Sequence, residues 1–211
     1  MVVAHGVVAM SAGYARKSKG EARREAIEGA ARRMLLDEGY AGVSLRKISA
    51  QLGISIGNLQ YYFPTKDALV EAVITGETHK PIDMLRDISW NADDVGPSIR
   101  EAVASLMRYY AGEAGRFYVI MESLALHDPR YADLKADGYA YILGHVEQLV
   151  CRMAPHLGGD RRARLAHVLV ALIDGASLQV QFVRGRADHD GIDALIADVS
   201  TAIEKLLNSW E

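Results

Sequence analysis

Residues 44–63 read SLRKISAQLGISIGNLQYYF, and this stretch says more about the chain than any other. Ser44 is placed to cap a short helix in which Leu45, Ile48 and Leu52 recur at helical spacing. Gly53 follows, where a sharp turn with positive φ is cheap only for glycine. Ser55 can cap a second short helix reaching about Tyr61, with Leu59 and Phe63 four apart and therefore on one face. The other face carries Ile56, Gly57, Gln60 and Tyr61, followed by Tyr62. Polar and phenolic groups gathered on one face of so short a helix predict that this face looks outward, toward a partner.

Working outward, Ala22, Ala26, Ile27, Ala30, Ala31, Met34 and Leu35 mark a helix from Lys19 to Glu38, with Gly39 as its C-terminal stop. Downstream, Pro64 breaks the chain, Thr65 caps a fourth helix and Asp67 occupies its first turn. Three helices of roughly 19, 8 and 7 residues, the last two joined by a glycine turn, describe a helix-turn-helix DNA-binding unit. Its expected core is Ile27, Ala31, Leu35, Leu45, Ile48, Leu52, Ile54, Leu59 and Phe63.

Composition agrees with a helical globular protein. Half of the 211 residues are hydrophobic, aromatics make up 7%, and Ala, Leu, Arg and Glu dominate long runs while strand signals are scarce. The net charge of −3 hides an asymmetry: residues 1–66 carry +5 and the remainder −8. A basic N-terminal third on an acidic body suggests that one end meets a polyanion, although clustered solvated charges would look the same. Cys151 is the single cysteine, which excludes an intrachain disulfide and fits a reducing cytoplasm. In its apolar helical setting it reads as a small buried hydrophobe. The opening MVVAHGVVAM precedes its basic cluster, the reverse of a secretory signal, and residues 1–17 read as a loosely ordered arm or a start-site extension. No run approaches the roughly 20 uninterrupted apolar residues of a membrane span.

Beyond residue 65 the chain reads as amphipathic helices at about 65–78, 81–90, 96–112, 116–126, 129–154, 160–184 and 191–209. Turn-rich breaks fall at Pro81, NADDVGP, AGEAG, HDP, HLGGD and GRADHDG. The expected fold class is all-α: a flexible arm (1–17), a helix-turn-helix domain (18–64) and a helical ligand-binding and dimerisation domain (65–211).

The stretch SLRKISAQLGISIGNLQYYFPTKDALVEAVI resembles the N-terminal DNA-binding domain of TetR-type transcriptional regulators. That pattern is a Ser/Thr-capped helix, a Gly-Val/Ile-Ser turn, Gly-x-Leu-Tyr-x-Tyr/His-Phe, a short break and Lys-x-x-Leu. The resemblance covers roughly residues 18–75, and LVALIDGASLQ (169–179) looks like the penultimate, self-pairing helix of such proteins. It implies base-reading positions at Gly57 and Gln60 and phosphate-contacting positions at Ser44, Arg46, Asn58, Tyr62 and Lys66, with Ser55, Ile56 and Tyr61 on the same surface. The chemistry is compatible: Arg46 and Lys66 can displace counterions, hydroxyls can donate to phosphate, and Gln60 can pair bidentately with adenine. Ile56 and Gln60 depart from the family's usual polar residue and Tyr. Ile56 either touches a thymine methyl or joins the core, and Tyr61 and Tyr62 either meet phosphate or pack with their hydroxyls in water. ARKSKG (15–20) is an arm beside the duplex or a solvated run.

In the acidic body, Met107, Tyr110, Phe117, Met121, Tyr139 and His145 could line an apolar cavity with polar tips, or could be plain core. Glu122, after YVIM, is either an inward carboxylate wanting a cation, a polar ligand or a proton, or an exposed helix residue. Leu169, Leu172, Ile173, Ala176 and Val180 form one stripe and Ile196, Val199 and Ile203 another. Paired across a twofold axis, such helices would build a four-helix dimer interface; unpaired, they would finish the chain's own core. A dimer would present two recognition helices to major grooves about 34 Å apart, or a multiple of that.

No metal-binding histidine pair, phosphate loop or nucleophile elbow is present in the sequence, so neither catalysis nor a cofactor is expected. The expected function is a homodimeric, cytoplasmic repressor released from a palindromic operator by a small molecule. The alternative is a constitutive DNA-binding or architectural protein without an effector.

Overall fold

The computed structural model describes residues 18–181 and 187–210. The expected arm at 1–17 lies outside them. Among the described residues the chain is helical throughout: α1 (Lys19–Gly42), α2 (Leu45–Gln51), α3 (Ile56–Tyr62), α4 (Lys66–Arg86), α5 (Gly96–Tyr110), α6 (Glu113–His127), α7 (Pro129–Met153), α8 (Gly159–Val180) and α9 (Ala187–Ser209).

Local chemistry sets the first four helix starts. Ser18 and Glu21 form a reciprocal capping box on α1. Ser44, Ser55 and Thr65 each accept a hydrogen bond from a backbone N–H three residues on, opening α2, α3 and α4. Gly53 makes the α2–α3 turn at φ 63°. Gly39 interrupts α1 as expected. At φ 68° and ψ −175° its backbone leaves helical geometry, and a short helical piece follows to Gly42.

Two apolar cores divide the chain. One gathers Ile27, Ala31, Leu35, Ile48, Leu59 and Phe63 from α1–α3, then continues into Leu69, Val70, Val73 and Ile74 of α4, Phe117 of α6 and Tyr131 of α7. Leu45, Leu52 and Ile54 are only partly buried at its edge. The other joins Ile82 and Leu85 of α4 to side chains of α5, α7, α8 and α9. Helix α4 therefore belongs to both cores. The break expected at Pro81 is absent because α4 runs on through it. The ring removes one backbone hydrogen bond and is itself buried, beside Ile82 and Leu85.

Helix α8 is long and apolar enough by composition to cross a membrane, but its apolar stripe packs against α5, α7 and α9. Leu169, Ala176, Val180, Ile196, Val199 and Ile203 are buried in this core, with Leu172 and Ile173 partly buried against it. The stripes expected to pair across a dimer are thus occupied within the chain. The reason is geometric: α8 and α9 rotate so that these stripes face α5, α7 and each other within the chain. The face of α8 left open carries Val168, Ala171, Gly175 and Leu178. Cys151 is exposed, not buried, and Arg162 Nη1 donates to its sulfur at 2.8 Å.

Candidate nucleic-acid interface and body cavity

Helix α3 is divided lengthwise. Leu59 is fully buried and Phe63, its C-cap, is 2% exposed, while Ile56, Gly57, Asn58, Gln60 and Tyr61 are all exposed. Ile56 thus lies on the open face and not in the core. Tyr61 is 82% exposed, and its ring meets the half-buried ring of Tyr62 edge-on at 5.2 Å. Gly57 has ordinary right-handed helical geometry, and a Cβ added there would meet nothing within 4 Å. Nothing inside the chain demands glycine at that position.

The flanking cations are not equivalent. Arg46 is exposed on α2, whereas Lys47 is taken by Glu38 at 2.8 Å. Lys66, at the first turn of α4, sits 4.0 Å above the Tyr40 ring and 3.5 Å from the Ala41 carbonyl. That placement holds a positive charge beside α3. Ser44 and Ser55 spend their hydroxyl lone pairs on the caps of α2 and α3, with N–O distances of 3.4 and 3.1 Å. Their hydroxyl protons remain available to an acceptor.

Two joints tie this unit to the body. At the first, Arg32 of α1 bonds both Glu77 of α4 at 2.8 Å and Glu113 of α6 at 2.7 Å. Glu77 also accepts from Lys80, and Arg116 Nη2 donates to the Leu36 carbonyl at 2.8 Å. At the second, Asp67 accepts from Tyr40 and from Arg130 of α7. Those two bonds, Tyr40 first, hold the Asp67 carboxyl below its ordinary value. The Tyr40 and Tyr131 rings stack edge to face at 5.8 Å over the same joint.

Behind the first joint lies a cavity of about 60 Å³, lined by Glu77, Tyr109, Tyr110, Phe117, Tyr118, Met121, Glu122, Lys135, Tyr139 and Asp174, among others. A second, of about 100 Å³, has an apolar lining that includes Trp90, Ile99, Val103, Leu106, Met153 and Ile173. Tyr110, Ile142 and Asp174 line both. In the first, Tyr139 donates to Asp174 at 2.7 Å and lies 2.9 Å from the Tyr118 hydroxyl. Glu122 is bonded to Lys135, and Tyr109 donates to Glu77 at 3.4 Å. Burial pushes the Tyr118 phenol up to about 12 and raises the Asp174 carboxyl.

Five of the seven pocket residues expected from sequence, Tyr110, Phe117, Met121, Glu122 and Tyr139, line the first cavity. Met107 does not: it is fully buried in the body core, where α5 turns it away from the void. His145 does not either. It stacks on Tyr141 with ring centroids 4.3 Å apart, and its Nε2 is 2.7 Å from Arg86 Nη2, facing a surface cleft.

Comparison with known proteins matches both parts of the chain. Residues 27–73 match the model for bacterial regulatory proteins of the tetR family, and residues 116–208 match that for the BetI-type transcriptional repressor C-terminal domain. The chain belongs to the TetR family of transcriptional regulators. It is therefore a transcription factor and not an enzyme. The HTH-type transcriptional regulator PksA of Bacillus subtilis (strain 168) is 36% identical over 69 residues, a match spanning 33% of this chain and 34% of that one. In overall fold the chain resembles GusR of Salmonella enterica, with a TM-score of 0.71 at 18% identity over 91% of this chain and 98% of that one. It also resembles a TetR-family regulator from Mesorhizobium loti, with a TM-score of 0.72 at 14% identity over 90% and 98% of the two chains.

Four polar residues lining this TetR-family cavity, Glu77, Thr78, Lys135 and Asp174, escaped the sequence reading. Asp174 is the one acid inside the apolar run LVALIDGASLQ, a signal that was there to be used. Glu77 sits in ITGETHK, where nothing in the local pattern distinguishes it from a solvent-facing residue.

Proposed function

We propose that this TetR-family protein is a homodimeric repressor that reads its operator with α3 and is released by a small molecule held in the body cavity. The observation that carries the regulatory part is Glu77. Its carboxylate lines the cavity and also holds Arg32 of α1, so a ligand and the DNA-binding unit share one side chain. A ligand that competes for Glu77 or Tyr109 alters the seating of α1 on α4. In a dimer that changes the separation of two recognition helices, which must meet two grooves at fixed spacing.

On the DNA face, Gly57 and Gln60 read bases, Ile56 meets a thymine methyl, and Ser44, Arg46, Ser55, Asn58, Tyr61, Tyr62 and Lys66 contact the backbone. The open face of α8, with Val168, Ala171, Gly175 and Leu178, is the surface through which the two copies pair. Selection from random duplexes with the purified protein would supply the operator. Gln60→Ala should then cost about 1–3 kcal/mol and relax one position per half-site, while Lys66→Ala should weaken all sequences alike and reduce the salt slope by about 1.

Regulation has its own test. Operator must lower ligand affinity by the same factor by which ligand lowers operator affinity. Equal ligand affinity with and without operator would leave the constitutive reading in its place.

A further inference from the structure

We propose that the cleft where the C-terminal ends of α4 and α7 meet is a second small-molecule site, outside the body cavities, for an amphipathic oxyanion. Its carboxylate or phosphate head sits at Arg86 and Arg152, and its apolar part lies along Ile88, Trp90, Leu149 and Met153. Such a site stands whether or not a body cavity holds an effector.

Size and charge set the cleft apart. It offers about 400 Å³, against about 60 and 100 Å³ for the two body cavities. The first body cavity is lined by the carboxylates of Glu77, Glu122 and Asp174 and the ammonium of Lys135. The cleft is bordered instead by Arg86, Arg152 and His145, with no Asp or Glu among its lining residues. Its sign is opposite to that of the body around it, where residues 67–211 carry −8. Two like charges beside one solvent-facing space repel, and an oxyanion bound to both removes that repulsion.

The two arginines are held differently. Arg86 Nη1 donates to Asp83 at 2.9 Å, and Nη2 lies 2.7 Å from His145 Nε2 and 3.4 Å from the Tyr141 hydroxyl. Asp83 itself is not part of the cleft wall. His145 Nδ1 is 2.8 Å from the Tyr141 carbonyl, which can only accept, so Nδ1 carries the proton and Nε2 accepts from Arg86. The Tyr141 ring also stacks with both histidines, its centroid 4.2 Å from that of His79 and 4.3 Å from that of His145. Of the guanidinium's five N–H donors, these contacts use three. Arg152 is exposed, and its side chain has no ion pair or hydrogen bond among the described residues. One arginine is thus preorganised, and the other is free to meet the head group.

The apolar wall is fixed as well. Trp90 Nε1 donates to the Leu85 carbonyl at 2.9 Å, which pins the half-buried indole beside Ile88, Leu149 and Met153. An inorganic ion uses none of this surface, whereas an alkyl or aromatic group attached to the oxyanion covers it.

The test uses the full-length protein without DNA and four ligand series of equal chain length, from butyl to octyl: alkyl phosphates, alkyl carboxylates, alkanols and alkyltrimethylammonium ions. Inorganic phosphate supplies the bare head, and affinities are read by calorimetry. Alkyl phosphates or carboxylates should bind at least about tenfold more tightly than alkanols or ammonium ions of the same length. The tighter of the two anion series identifies the head. Arg152→Gln should cut anion binding by about tenfold and spare alkanols. Arg23→Gln on α1, which removes the same charge away from the cleft, should change nothing. Gln148→Trp, at a position that lines the cleft and neither body cavity, should abolish anion binding by filling the space. All three positions are exposed, so each variant should fold, which urea unfolding checks.

Alkanols or ammonium ions binding as tightly as the anions, inorganic phosphate binding as tightly as its octyl ester, or Arg152→Gln without effect would overturn the assignment. Anion binding that survives Gln148→Trp would place the ligand in a body cavity and overturn it as well.

Discussion

The two ends of α4 belong to differently built regions. Toward the N-terminus, α2 and α3 are seven residues each and every helix start carries a Ser or Thr cap. In the body, helices run 15 to 25 residues, and α5, α6 and α8 begin with no side-chain cap bond. Isolated helices of seven residues do not form, so the DNA-facing unit depends on caps and on a single layer of buried side chains. Long helices hold together by packing along their length, and that surplus lets the body keep two cavities open. The contrast teaches that the small end is fixed by local caps, and that hollow space is tolerated where helices are long.

The comparison breaks first, and with the largest effect, on equivalent truncations in the two regions. Leu59→Ala removes a fully buried side chain of α3 and should cost about 3–5 kcal/mol in urea unfolding. Leu106→Ala, which enlarges a cavity already present, should cost about 2–3 kcal/mol. Equal losses would mean that the body is packed as tightly as the N-terminal unit.

The joint between the regions comes next. Arg32→Ala leaves Glu77, 7% exposed in its side chain, with Lys80 and the long bond from Tyr109, and should cost about 1–3 kcal/mol. Operator affinity of the ligand-free protein should change little, while the effect of ligand on operator affinity should shrink. An undiminished ligand effect would show that coupling runs elsewhere.

Caps sharpen the contrast further. Ser55→Ala should destabilise by about 1 kcal/mol and weaken operator binding, because α3 has no length to spare. Gly158→Ala ahead of α8, where no side-chain cap exists, should change stability by less than about 0.5 kcal/mol.

The smallest effect is on pH. Asp67 is held below the ordinary carboxylate value of 3.8 by Tyr40 and Arg130, so it binds fewer protons folded than unfolded. Its contribution is complete above that value and is lost as pH falls through the folded value. Asp67→Asn should therefore flatten the acid limb of a stability–pH curve and leave the curve's shape near neutrality unchanged. An acid limb as steep as the native one would place the titration on other groups.

Much of the N-terminal unit was legible because its determinants are local. Ser44, Gly53, Ser55 and Thr65 act on backbone groups within four residues, and the four-residue spacing of Leu59 and Phe63 puts them inward by helix geometry alone. Errors appeared where a local signal met a distant contact. Pro81 read as a helix end, yet packing carried α4 past it, whereas Gly39 does break α1. Met107 and His145 had the right composition for a pocket, but the rotation of α5 and α7 about their axes sent one into solid core and the other to the surface.

What the sequence determined by itself was the helical class, the helix-turn-helix with its outward face and the basic-to-acidic division of the chain, since caps, periodicity and turn residues act at short range. Only tertiary structure decided which side of α8 and α9 is buried, which aromatics surround a void, and that Glu77, Tyr139 and Asp174 meet there. Those outcomes depend on how helices far apart in sequence rotate against each other, and helical spacing alone carries no record of that rotation.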